Sequence, residues 1–137
     1  MRSALPKVLH PLCGRPMLAH VLAVANALDA VETAVVLAAD TIEQVRAVCG
    51  EASPAGQPYR YVVQAERLGT AHAVLQARDA LRGRTDEVLV LLGDVPLLTP
   101  ETAGRLLELR RASGALVALL SFHAHPPTGY GRVVRDA

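Results

Sequence analysis

Two cysteines in 137 residues, Cys13 and Cys49, are too few for a disulfide framework. A reducing compartment suits such a chain better. Net charge is equally scarce: 14 Lys and Arg against 13 Asp and Glu leave +1. That balance gives no argument for nucleic acid or an anionic membrane as a partner. No apolar run approaches the roughly 20 residues of a membrane span. The N-terminus lacks a basic segment followed by an apolar one, so no secretory signal is read there. There is no Gly-rich dinucleotide loop and no G-x-x-x-x-G-K-[ST] sequence, which removes support for a phosphate-loop ATPase. His10 and Cys13 find no third ligand at convincing spacing, and neither do His123 and His125. The expectation is a cytoplasmic chain, 51% hydrophobic, long enough for one domain with a substantial core.

What the chain does have is a regular alternation of buried-strand and helix patterns. Pro16 can open a helix without losing a bond, and Met17, Leu18, Val21, Leu22, Val24, Ala25 and Leu28 give it one apolar face. Residues 33–38 (TAVVLA) predict a buried strand. Asp40 or Thr41 is expected to cap the next helix, with Ile42, Val45, Val48 and Cys49 turned inward. Cys49 reads as a small core residue. Residues 50–58 form a loop, and residues 59–63 a further strand ended by Gln64. A helix over 70–81 follows. Thr99, Pro100 and Glu101 start the last helix, Leu106, Leu107 and Leu109 face inward, and Gly114 ends it. Arg110 and Arg111 read most simply as its solvated end. Residues 115–122 predict another buried strand. This order implies a three-layer α/β fold with a mostly parallel sheet.

Residues 87–98 (EVLVLLGDVPLL) are the focus of the chain. Residues 88–92 have no polar side chain to expose, so they predict a strand covered on both faces. Asp94 arrives where that strand must stop, and ligands of open α/β sheets bind beyond the carboxyl ends of strands. The competing reading makes Gly93-Asp94 a plain turn and Pro96 a strand breaker. Lys7, between Pro6 and two apolar residues, either snorkels to the surface or places a compact charge in an anion site. Gly69-Thr70 opens a helix whose free N–H groups favour polar ligand groups; Thr70 can equally be a simple cap and Gly69 a turn residue. His72 belongs to the surface or to a helix hydrogen bond on that plainer view. Gly131 permits close backbone approach to a ligand, or serves only a turn.

Taken together, Leu5-Pro6-Lys7-Val8-Leu9, Gln64, the run 68–73 (LGTAHA), Gly93-Asp94-Val95-Pro96-Leu97 and the run 127–132 (PTGYGR) carry a family resemblance. In that order the chain resembles the N-terminal uridyltransferase (pyrophosphorylase) domain of bifunctional N-acetylglucosamine-1-phosphate uridyltransferase/glucosamine-1-phosphate acetyltransferase enzymes. The resemblance implies a Rossmann-like nucleotide-diphospho-sugar transferase fold. It implies transfer of a uridylyl group from UTP to N-acetylglucosamine 1-phosphate, with Mg²⁺ as cofactor. Lys7 matches the phosphate-contacting lysine and Asp94 the Mg²⁺-binding aspartate, the two catalytic positions. Gln64 and Gly69 match positions that read uracil, with Thr70 beside them, and Gly131 matches a backbone contact to the sugar's N-acetyl group. Leu92 stands where a tyrosine is common.

Departures from the family pattern carry their own expectations. Residues 1–137 match a partial nucleotidyltransferase domain, truncated at both ends. The first strand, the Gly-rich nucleotide loop with its arginine, and the asparagine that completes the Mg²⁺ site are missing from the sequence. So is the trimer-forming β-helix that makes the family's full-length enzymes homotrimers. The chain alone is therefore expected to be inactive or nearly so. Three alternatives stay open: a nucleotidyltransferase for another sugar phosphate or for the molybdenum cofactor, a non-catalytic nucleotide-binding remnant, and a soluble fragment with no function of its own.

Overall fold

The computed structural model describes residues 5–66, 68–126 and 128–135. Met1 to Ala4, Arg67, Pro127 of the 127–132 motif, Asp136 and Ala137 lie outside the described residues. Near the N-terminus, Pro11–Leu12 (β1) and Arg15–Pro16 (β2) pair antiparallel around Cys13 and Gly14, where only a loop is expected from the sequence. Helix α1 (Met17–Ala27) follows, and its Leu18, Val21, Leu22 and Val24 are buried as the apolar face predicts. Asp29 takes φ +51, a left-handed conformation that stops the helix.

The centre is a parallel ladder of two strands, Thr33–Ala38 (β3) and Tyr59–Gln64 (β4). Their register runs unbroken from Thr33 opposite Tyr59 to Ala38 opposite Gln64. Helix α2 (Ile42–Cys49) makes the crossover between them. Val35, Val45 and Tyr59 meet Leu9, Leu18, Val21 and Leu22 in one core, and Val45 is fully buried at 0% exposure. Tyr59 also fastens the ladder to α1, its hydroxyl accepting from Asn26 Nδ2 at 3.1 Å. Thr41 sits at the start of α2 but does not cap it, because its hydroxyl donates back to Ala38 O at 2.9 Å. Val48 is exposed, not inward, since Val45 and Cys49 already fill that side. Beyond β4 the predicted helix over 70–81 forms in two pieces, α3 (Thr70–Gln76) and α4 (Arg78–Leu81), joined at buried Ala77. Helix α5 (Pro100–Ser113) starts as predicted: Thr99 Oγ1 accepts from Thr102 N, and Gly114 closes it in the left-handed region at φ +64.

Two predicted strands do not form. Residues 88–92 run without a ladder partner among the described residues, and Val88, Val90 and Leu92 are about half exposed. Residues 85–93 and β3 instead line a common cavity of about 870 Å³. Ladder bonds need a neighbour about 4.8 Å away, so the apolar composition cannot become a strand here. Only Leu91 of this run packs against the core. Residues 115–122 likewise form no ladder among the described residues, and Leu116 is 92% exposed. Strand propensity describes fit to a half-buried pleated surface, and neither run has that surface. Leu109 is likewise exposed, where the helix pattern turns it inward. The α/β class and parallel pairing stand, with fewer strands than the sequence pattern implies.

Charged groups fasten the ends of these elements. Glu32, just before β3, accepts from Arg60 Nε at 2.5 Å and from Arg84 NH1 at 2.6 Å. Glu87 accepts from Arg110 NH1 at 3.1 Å and from Arg111 Nε at 2.9 Å. Those two arginines are therefore not a free solvated terminus: they tie α5 to the start of the 88–92 run. The Arg60 and Arg84 guanidiniums hold the Glu32 carboxyl at about 2, against an ordinary 4.5. A depressed carboxyl contributes stability that is present above its unfolded value and lost as pH falls through its folded one. Unfolding midpoints of the wild type should accordingly fall between pH 4.5 and about 2, and Glu32→Gln should flatten that part of the profile in a denaturant-by-pH series.

Candidate functional site

Lys7 is set by a single turn of 3-10 helix, Lys7–Leu9, in which Leu9 N donates to Pro6 O at 2.9 Å. Leu9 is buried and anchors the turn in the core, leaving the Lys7 side chain 60% exposed. Asp94 comes from a turn across Leu92 to Val95, closed by Val95 N donating to Leu92 O at 3.0 Å. Gly93-Asp94 is thus a turn, and its carboxylate faces a partner. Lys7 Nζ donates to Asp94 Oδ2 at 2.6 Å. A Cβ on Gly93 would stand 3.3 Å from Val8 Cγ1 and 3.5 Å from Leu18 Cδ1. This close approach brings the turn against the Lys7 segment and explains a glycine there without any left-handed backbone.

The second group of residues lies at the carboxyl end of β4. Gln64, its last residue, reaches across the connecting loop and donates from Nε2 to Gly69 O at 3.2 Å. Gly69 takes φ +95 with ψ 179, a conformation close to glycine-only. Its carbonyl also receives Ala73 N at 3.1 Å, which starts α3. Thr70 is the first residue of that helix, and the cap position belongs to Gly69, which has no side chain to cap with. Gln64, Gly69 and Thr70 line the same cavity as Val8 and Gly93, the neighbours of Lys7 and Asp94. The cavity therefore joins two groups well separated in sequence: Gln64 lies 57 positions after Lys7 and 30 before Asp94. Gly131 is not brought to them: it lies exposed in the C-terminal coil, where its carbonyl accepts from Arg132 NH1 at 3.3 Å.

Electrostatics at this site are those of an open surface. The Lys7 ammonium beside Asp94 holds the carboxyl below its ordinary value, against a small opposing effect of burial. Among the described residues no three His, Cys, Asp or Glu side chains converge on one point. Cys49 is no nucleophile, since burial pushes its thiol up. One participant carries no signal in the sequence: His72, whose Nδ1 lies 3.1 Å from Gln64 Nε2. No spacing rule connects a strand end to a helix residue eight positions later across a loop.

Residues 1–137 match the family described as MobA-like NTP transferase domain. Among curated proteins, a bifunctional protein GlmU from Bradyrhizobium sp. (strain ORS 278) is 48% identical over 139 residues, covering 99% of this chain and 29% of that protein. Proteins of the same name from Xanthobacter autotrophicus and Enterococcus faecalis are 51% and 41% identical over 134 and 136 residues. They too are matched over 98% and 99% of this chain and 29% and 28% of their own lengths. The chain thus spans under a third of the length of these relatives. No helix among the described residues is long and apolar enough to cross a membrane.

An exposed ion pair adds little to stability, about 0–1 kcal/mol. Lys7→Met should leave the melting temperature nearly unchanged, while the Asp94 carboxyl, followed by NMR titration, rises toward 3.8 from its lower wild-type value. An Asp94 titration indifferent to the substitution would show that the pair does not persist in solution.

Proposed function

Because the chain belongs to the MobA-like NTP transferase domain family, we propose that it carries part of the site of a uridyltransferase. The reaction is transfer of a uridylyl group from UTP to N-acetylglucosamine 1-phosphate, giving UDP-N-acetylglucosamine and pyrophosphate. The observation behind this reading is the Lys7–Asp94 pair, a cation and a hard carboxylate 2.6 Å apart and open to solvent. It stands beside a cavity lined by Gln64, Gly69 and Thr70. The choice of substrates rests on the motif resemblance of the sequence.

In this reaction an oxygen of the sugar phosphate attacks the UTP α-phosphorus as the bond to the pyrophosphate oxygen breaks. Little covalent help is required, and catalysis is positioning plus neutralisation of charge on the phosphoryl oxygens. Lys7 supplies a compact ammonium on a flexible stem, able to leave Asp94 for a phosphate oxygen. Asp94 fits a Mg²⁺ ligand by its chemistry: its hard carboxylate, 41% exposed, would hold the ion. Mg²⁺ bound there supplies charge neutralisation at the phosphoryl oxygens. Gln64 and the Gly69-Thr70 backbone hold the base; the sugar-binding role of Gly131 rests on the motif resemblance alone, since the fold does not bring it to this cavity.

Calorimetric titration of the chain with UTP, with and without Mg²⁺, tests the assignment. Mg²⁺ should strengthen UTP binding in the wild type, and Asp94→Ala should remove that gain. Lys7→Ala should weaken UTP binding about tenfold, the size expected for a charge-assisted contact. Binding insensitive to both substitutions would overturn the site. A parallel assay of pyrophosphate release with the sugar phosphate separates an enzyme from a binding module: release lost on Asp94→Ala marks an enzyme, and UTP binding without release marks a binding module. The family match also favours a second reading, a different nucleotide or acceptor, and preference for GTP or CTP over UTP would favour it.

A further inference from the structure

We propose that His72 is a positioning residue: it fixes the Gln64 amide with its carbonyl oxygen outward, as an acceptor for the ring N–H of a keto nucleobase. The inference rests on the nucleotide-binding reading of Gln64 above. Gln64 Nε2 lies 3.2 Å from Gly69 O and 3.1 Å from His72 Nδ1. A backbone carbonyl only accepts, so the amide atom facing Gly69 is the NH₂ group. Its second N–H points to His72 Nδ1, which must then be the bare nitrogen of the ring. A neutral imidazole in that state carries its proton on Nε2. The Gln76 amide, whose Nε2 is placed 3.1 Å from His72 Nε2, takes that proton's hydrogen bond by turning over to present Oε1. The turn gives up a 3.4 Å contact to His72 O and leaves two oxygens at that longer separation. The opposite arrangement sets two carbonyl oxygens, of Gln64 and Gly69, 3.2 Å apart and gives up the shorter of the two bonds.

Both Gln64 donors are thereby committed to the protein, and among the described residues no donor reaches Gln64 Oε1. Gln64 lines the cavity, so the group it can offer a ligand there is an acceptor. Uracil and guanine carry a ring N–H at the centre of the Watson–Crick edge, whereas cytosine and adenine carry a bare ring nitrogen that a carbonyl oxygen repels. Hydrogen bonds to this edge are how proteins read an unpaired base. His72 would thus set base choice without touching the base.

Two measurements on the full chain test this. In the ligand-free protein, ¹⁵N NMR of the imidazole should give His72 protonated at Nε2 and bare at Nδ1; the Nδ1–H tautomer would overturn the inference. Affinities for UTP and CTP, each with Mg²⁺, are then compared across wild type, His72→Asn and His72→Leu, with thermal melts to confirm folding. The Asn side chain offers an oxygen near the Nδ1 position and should keep the preference for UTP. The Leu side chain leaves Gly69 O as the one partner holding the Gln64 amide, and the preference should fall about tenfold, the value of roughly one hydrogen bond. Equal weakening of both nucleotides by His72→Leu, with the preference intact, would mark a purely structural role and sink the proposal. A wild type that binds UTP and CTP alike refutes it while nucleotide binding stands. Binding of neither removes the nucleotide reading itself, and the base-reading role with it.

Discussion

Everything placed near the cavity is referenced to the parallel ladder between β3 and β4. Its six paired positions bury Val35 and Tyr59 against α1 and α2. It also fixes the direction in which Gln64 leaves the sheet, because the ladder ends with Ala38 opposite Gln64. Parallel strands cannot be joined by a tight turn, and the crossover through α2 is the cost of that geometry. In return both strands point their carboxyl ends the same way, so the loops that follow them gather at one edge. Gly69, Thr70 and the start of α3 follow β4 directly at that edge.

The Lys7–Asp94 pair depends on the core less directly. Neither residue belongs to the ladder or to an α-helix. Lys7 is held through buried Leu9, and Asp94 through the fit of Gly93 against Val8 and Leu18. Apolar contacts one residue away therefore position two charged groups that themselves stay in solvent. This arrangement leaves the ammonium and the carboxylate weakly committed to each other, as suits groups that exchange one another for ligand oxygens.

Helices were the more legible part of the sequence, for a physical reason. Their hydrogen bonds are internal, so the apolar spacing of residues 17–28 and the Thr99-Pro100 start predict α1 and α5 without reference to a neighbour. Residues 33–38 and 59–64 read correctly as strands because each finds the other. The runs 88–92 and 115–122 have the same composition and no such neighbour, and composition alone cannot report that. Within the site, Asp94 and Lys7 were readable from their positions beside apolar runs and from the motif resemblance. Their mutual contact was not, because no pattern in a sequence measures the distance between residues 87 apart. His72 was invisible as a partner of Gln64 for the same reason, and Gly131 shows the converse, a motif match with no contact to the other matched residues.

The unladdered run 88–92 has one more consequence. It is restrained at both ends: Glu87 is clasped by Arg110 and Arg111, and Gly93 is seated on Val8 and Leu18. Along the span, only Leu91 packs against the core. Mechanically this is a beam supported at its ends and loaded at its tip, with Asp94 as the tip. The accuracy with which that carboxylate is aimed is then set at the supports, and a loosened grip on Glu87 more than five residues away would be felt at Asp94 as a change of angle.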